Sequence, residues 1–223
     1  MTEEAILPLK CVLLGETAVG KTALISRFVE NKFSENFVST LVGCYSSKDI
    51  FYPKFNRNVK YEIWDTAGQE KFRSINKIFY QDTSIAILVF DITRKDTFQA
   101  LKEYWYTEVR DNSPKDVIIA IAANKNDLYE YEEVTDEEAK KFAESINAIY
   151  HQTSASKGTG INELFESIGS ELLKPENIQE FIRKTTTYKK MPVRLNSESF
   201  NSSKINNEEK SEVRKDIKKN CCI

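Results

Sequence analysis

One stretch near the start of the chain, Gly15-Glu16-Thr17-Ala18-Val19-Gly20-Lys21-Thr22, limits what the rest can fold into. It reads G-x-x-x-x-G-K-[ST], a loop built to hold phosphate. An apolar run at 9–14 precedes it, and Ala23, Leu24, Ile25, Phe28 and Val29 follow at helical spacing. Strand, loop and helix in that order are the context the motif requires. Gly15 and Gly20 allow the backbone to wrap closely, so that successive N–H groups, among them those of Thr17, Ala18, Val19 and Ala23, face an anion. The helix that follows aims its positive end at the same point. Lys21 is expected to reach the β- and γ-phosphates, and the Thr22 hydroxyl to hold Mg²⁺.

Strand-like runs recur at 59–64, 85–91, 117–123 and 148–151, with helical stretches at 22–30, 95–109, 135–145 and 160–173. This alternation predicts an α/β fold, a mainly parallel six-stranded sheet with helices on both faces. The stretch 45–52, followed by Pro53 and a polar turn into the strand at 59, breaks the alternation and predicts one antiparallel edge hairpin. After Leu173 the chain turns polar and rich in Asn, Ser, Lys and Glu. The expected organisation is a short extension at 1–7, one domain at 8–173 and a flexible tail at 174–223.

Charge follows the same division. The net charge of −2 combines a tail from Lys174 with 12 Lys+Arg against 7 Asp+Glu and a body with 20 against 27. An acidic body gives no support to nucleic-acid binding, whereas a basic tail suits an anionic membrane surface. No apolar run reaches the 18 or so residues of a bilayer span, and Met1-Thr2-Glu3-Glu4 is unlike a signal peptide. Cys11 and Cys44 sit singly in apolar stretches and read as small hydrophobes, as in a reducing compartment. The one histidine, His151, reads as a partly buried structural residue rather than a base.

Further parts of a nucleotide site follow in order at strand ends. Asp65-Thr66-Ala67-Gly68-Gln69 places a carboxylate, Asp65, where it can act on Mg²⁺ through water. In the same run Gly68 offers an N–H to a γ-phosphate, and Gln69 can orient an attacking water. Asn124-Lys125-Asn126-Asp127 offers a carboxylate, Asp127, that can accept two donors from guanine, a demand adenine cannot meet. Ser154-Ala155-Ser156 follows the last short strand, its amides directed to the guanine carbonyl. Sites of this kind belong at the carboxyl ends of a doubly wound sheet.

With these motifs the chain resembles the Ras superfamily of small GTPases, and within it the Rab family, over residues 8–173. Ile63-Trp64-Asp65-Thr66-Ala67-Gly68-Gln69-Glu70-Lys71-Phe72, Phe79-Tyr80 and the run 86–93 are similar to Rab sequences. Glu16-Thr17-Ala18 is similar to the early-endosomal Rab branch. The resemblance implies a P-loop G domain in which Ser39-Thr40 supplies the switch threonine, Thr40, as a second Mg²⁺ ligand. It matches Phe33 to the aromatic packed on guanine and Phe37 to the switch tyrosine position. It makes Tyr45, Trp64 and Phe79 the expected effector-binding aromatics, against an alternative reading as ordinary core.

The chain departs from the Rab pattern at several places. Val42 stands where Rabs usually carry Gly, through substitution or a one-residue insertion, and the 45–64 hairpin is slightly long. Ser156 replaces the usual Lys of the last motif, which is expected to weaken base packing without removing the backbone contact; Thr17 stands where Ser is common. The end, Cys221-Cys222-Ile223, resembles a Rab terminus carrying two geranylgeranyl groups, with Lys210, Arg214, Lys215, Lys218 and Lys219 just upstream.

The resemblance therefore implies a monomeric GTPase that hydrolyses GTP to GDP with Mg²⁺, using Lys21 and Gln69, slowly without an activating protein. Exchange factor, activating protein, GDP-dissociation inhibitor and effectors are the implied partners. The implied place is the cytoplasmic face of an intracellular membrane, endosomal by the branch, with a cytosolic pool. The alternative is a GTP-dependent binding module with negligible hydrolysis. A P-loop kinase is a weaker third reading, opposed by Asn124-Lys125-Asn126-Asp127.

Overall fold

The computed structural model describes residues 6–34, 43–66, 79–179 and 181–182. Six strands form one sheet: β1 (Leu7–Leu14), β2 (Cys44–Tyr52), β3 (Arg57–Asp65), β4 (Ile85–Asp91), β5 (Ile118–Asn124) and β6 (Ile149–Gln152), in the order β2-β3-β1-β4-β5-β6. Only β2 and β3 pair antiparallel; every other neighbour is parallel. The β2–β3 connection is a short 3-10 turn, Pro53–Phe55, closed by Asn56 in the left-handed conformation. The expected sheet and edge hairpin are therefore both present.

β4, Ile-Ala-Ile-Leu-Val-Phe-Asp, is buried along its whole length because helices cover both sides of it. Alternation along β1 sends Val12 and Leu14 to one face, where they join Leu88, Phe90, Phe98, Leu101, Trp105 and Ile121 in a single apolar cluster. The helices on that side are α2 (Lys95–Ala100), α3 (Tyr106–Asn112) and α4 (Asp136–Ser145). On the other face α1 (Lys21–Glu30) packs against α5 (Ile161–Leu172). The Phe28 ring there stacks on Phe165 with centroids 3.5 Å apart, and Tyr61 meets Phe165 edge-on. Tyr52 and Tyr61 hydroxyls lie 2.7 Å apart and both donate to the Phe165 carbonyl oxygen. Two buried phenols are thereby satisfied against one helix backbone group.

The sequence predicts one helix at 95–109, and here the structure differs in detail. Helical backbone continues to Asn112, but Leu101–Trp105 forms a π turn between α2 and α3, with Tyr106 N–H donating to the Leu101 carbonyl five residues back. A π turn takes up one extra residue and so shifts the phase of the side chains beyond it. In this phase Leu101, Trp105 and Val109 all point into the core. Cys11 is fully buried and its thiol is pushed up by burial, as a small hydrophobe should be. Cys44, on the edge strand β2, is only half-buried.

Candidate functional site

The loop between β1 and α1 has the shape its glycines demand. Gly15 has φ 147° and Gly20 φ 97°, and a Cβ would strike the Val89 carbonyl oxygen at the first and the Asn124 amide at the second. Ala18 also adopts positive φ, 64°. Gly20 is the N-cap of α1 and has no side chain to cap with, and no acidic residue stands in the first turn. That helix end therefore suits an anion.

Lys21 lies under the loop, 6% exposed, donating 2.8 Å to the Gly15 carbonyl and 3.0 Å to the Glu16 carbonyl. Burial lowers its ammonium to about 8, against the opposing pull of Asp65 and Glu16. The Thr22 hydroxyl donates 2.5 Å to Asp65 Oδ2, joining the head of α1 to the end of β3. Beside it the Thr66 hydroxyl ties that strand end to Leu13 of β1. Two hard oxygen donors side by side fit Mg²⁺, which takes few protein ligands and fills its sphere with water and phosphate. Among the described residues no group of three or more His, Cys, Asp and Glu is placed to hold a metal by itself.

At the ends of β5 and β6 the other two motifs meet. Asn124 is buried, and its amide donates 2.8 Å to the Val19 carbonyl, fastening the phosphate loop to the next motif. Thr153 holds the other end of that amide, its hydroxyl 3.2 Å from Asn124 Oδ1. Lys125, at φ 65°, makes a 2.7 Å ion pair with the buried Asp91. The Asp127 carboxylate accepts from the Ser154 hydroxyl at 2.5 Å on one oxygen and from the Ser156 hydroxyl at 2.8 Å on the other. Burial pushes that carboxyl up, but the two serine hydroxyls, its own backbone amide and Lys157 outweigh it and hold it below the usual range.

Several residues that join these motifs escape a reading of the sequence, because their partners are distant along the chain. Arg27, on α1, forks to the Ala155 and Ser156 carbonyls at 2.9 Å each and lies 5.9 Å over the Phe33 ring. Arg94 donates 3.0 Å to the Thr17 carbonyl and sits 3.8 Å from Asp91. The indole of Trp105, the buried last residue of the π turn, donates 3.0 Å to Glu16.

Tyr45 and Trp64 are opposite each other in the β2–β3 register, their rings 5.3 Å apart, and Phe79 lies 5.5 Å from Trp64. Tyr45 is 49% exposed, and Trp64 and Phe79 are half-buried. The three form one contiguous aromatic strip, exposed at Tyr45 and packed against the core cluster at Phe79. His151 is half-buried and hydrogen-bonded to Ser167 at 2.9 Å, with burial lowering its ring against Glu163. Thr40, Gly68, Gln69, Phe37, Val42, Cys221 and Cys222 lie outside the described residues.

Comparison with known proteins agrees with this arrangement. The Ras family description matches residues 10–174. Ras-related protein Rab-22A of Homo sapiens is 42% identical over 168 residues, 75% of this chain and 85% of that protein. Ras-related protein Rab-31 of Mus musculus is 41% identical over the same shares. Ras-related protein Rab-21 of Bos taurus is 39% identical over 171 residues, 77% of this chain and 76% of its own. With a phosphate loop, a Thr22–Asp65 pair and a serine-flanked Asp127 on a Ras-type sheet, the chain belongs to the Ras family and within it to the Rab small GTPases.

Proposed function

We propose that the protein is a GTP-binding and GTP-hydrolysing switch that regulates intracellular vesicle traffic from a membrane of the endosomal system. One juxtaposition carries the reading. The Asn124 amide bonded to Val19 holds a phosphate loop beside the motif of a guanine-type carboxylate, Asp127, at the carboxyl ends of the strands. A site divided in this way fits a nucleotide whose base and phosphates are both read.

Lys21 and the amides from Thr17 to Ala23 bind the β- and γ-phosphates and meet the charge that grows on the transferring group. Asp127 accepts two donors from the base, Ser154, Ala155 and Ser156 frame it, and Phe33, beside Arg27, packs on it. Thr22 and Thr40, with Asp65 acting through water, would hold Mg²⁺, which would supply neutralising charge at the phosphates. Gln69 orients a water for in-line attack on the γ-phosphorus; the bond to the GDP oxygen breaks and phosphate leaves. With the γ-phosphate gone, Thr40 and the Gly68 amide lose their partner and both switch segments relax. Hydrolysis is slow until a partner protein supplies a cation, a gain of roughly 10³–10⁵ in rate.

The strip Tyr45, Trp64 and Phe79 is the effector surface, the contact of the three rings and the exposure of Tyr45 being what supports the assignment. Similarity to Rab-22A, Rab-31 and Rab-21 supports an endosomal place. Prenyl groups on Cys221 and Cys222, aided by the basic residues before them, provide the anchor. The test is the location of an N-terminally tagged protein against its Cys221→Ser, Cys222→Ser variant in the native cell. Membrane marking by the first and diffuse signal from the second is expected; diffuse signal from both removes the anchor.

A further inference from the structure

Ser156 is the position where the chain departs from the Rab pattern at the base site, and the loss of a Lys there leads one to expect weaker guanine binding. The geometry points elsewhere: we infer that Ser156 is a positioning residue for guanine recognition, holding the second oxygen of Asp127 in the plane that the base must meet. The inference rests on the guanine-binding role given above to Asp127.

A carboxylate has about four lone-pair sites, two on each oxygen. Ser154 takes one on Oδ1 and Ser156 takes one on Oδ2, 2.5 and 2.8 Å away. The serines approach one oxygen each, so neither oxygen is given over to both of them, and guanine presents two parallel donors to the pair of oxygens where hypoxanthine, lacking the 2-amino group, presents one. With Ser154 alone the carboxylate would be fixed on one side and free to swing about the other. With both hydroxyls its rotation is fixed before the base arrives, so less ordering is needed on binding.

Ser156 is itself held from behind. Arg27 donates 2.9 Å to its carbonyl and 2.9 Å to that of Ala155, which joins the serine to α1 and hence to the phosphate loop. Ser154 is equally constrained: its hydroxyl accepts from the Lys157 amide at 3.0 Å while it donates to Asp127, and its backbone bridges to Thr159. The backbone that carries each hydroxyl is therefore in place before the ligand arrives. A lysine at 156 carries no hydroxyl and its ammonium sits at the end of a flexible stem, so it cannot hold the carboxylate in this way.

The test compares dissociation constants of GDP and inosine diphosphate for the full chain, Ser156→Ala and Ser156→Thr, with ADP as control. The expected result for Ser156→Ala is a roughly tenfold loss for GDP with a much smaller loss for inosine diphosphate, so that their ratio narrows. Ser156→Thr, which keeps the hydroxyl, restores the ratio. A merely structural role would weaken both nucleotides equally, and that outcome overturns the inference, as does an unchanged GDP constant in Ser156→Ala. If the wild-type chain fails to prefer GDP over ADP, the guanine reading of the site falls first and the inference with it.

Discussion

Asp127 shows how a single side chain is set for its task by its neighbours. Burial alone would raise its carboxyl, yet Ser154, Ser156, the backbone amide and Lys157 hold it below the ordinary range. The sign follows directly. A carboxylate whose folded value is depressed contributes stability above its unfolded value, about 3.9, and loses that contribution as pH falls through the folded value. GDP affinity is therefore expected to stay level down to the pH at which free carboxylates titrate and to fall only below it, while circular dichroism shows the fold intact. A decline already under way near pH 6 in folded protein would contradict this. At this scale the sequence was legible where a motif fixes the place of a residue at the end of a described strand. Gly15, Lys21, Thr22, Asp65, Asn124 and Asp127 are where their motifs put them. Arg27, Arg94 and Trp105 were not legible, because each acts through a backbone carbonyl or carboxylate that only folding brings near.

Elements were legible where one physical demand dominates. β4 reads as a buried strand because it is apolar throughout, and its bounds agree with the sequence to the residue. The π turn at Leu101–Trp105 was not, since apolar spacing of three or four does not distinguish an α turn from a π turn until a neighbour fixes the phase. Glu16 and the core beyond β4 and β5 supply that neighbour through Trp105. Gly169 is a second case. Helix propensity says Ala should improve α5 by about 1 kcal/mol, but a Cβ there runs into the Tyr52 ring. That ring is held by its hydroxyl to Tyr61 and to the Phe165 carbonyl, so it cannot easily give way. Gly169→Ala is thus expected to destabilise by about 1–3 kcal/mol, read from the midpoint of urea unfolding. A midpoint that rises would show the tyrosine pair to be more yielding than its hydrogen bonds imply.

For the whole molecule, topology decides where function can sit. β1 lies between β3 and β4, so the chain leaves it in one direction for the hairpin and in the other for β4 to β6. The phosphate loop follows β1 at that division, and the carboxyl ends of β3, β5 and β6 converge on it with Asp65, Asn124 and Ser154. The alternation of strands and helices made this sheet legible, because parallel strands need crossovers and crossovers need helices. The order of the strands was not legible, because the same alternation is shared by several doubly wound sheets. The central claim, a switch that hydrolyses its own GTP, is tested most directly by single-turnover phosphate release from the purified full chain. GTP, ATP and the Gln69→Leu variant are compared side by side. Slow release from GTP, on the order of 10⁻⁴ s⁻¹, none from ATP, and a fall of at least roughly tenfold in Gln69→Leu are expected. No release above background from GTP, equal release from ATP, or an unchanged rate in the variant would contradict the claim.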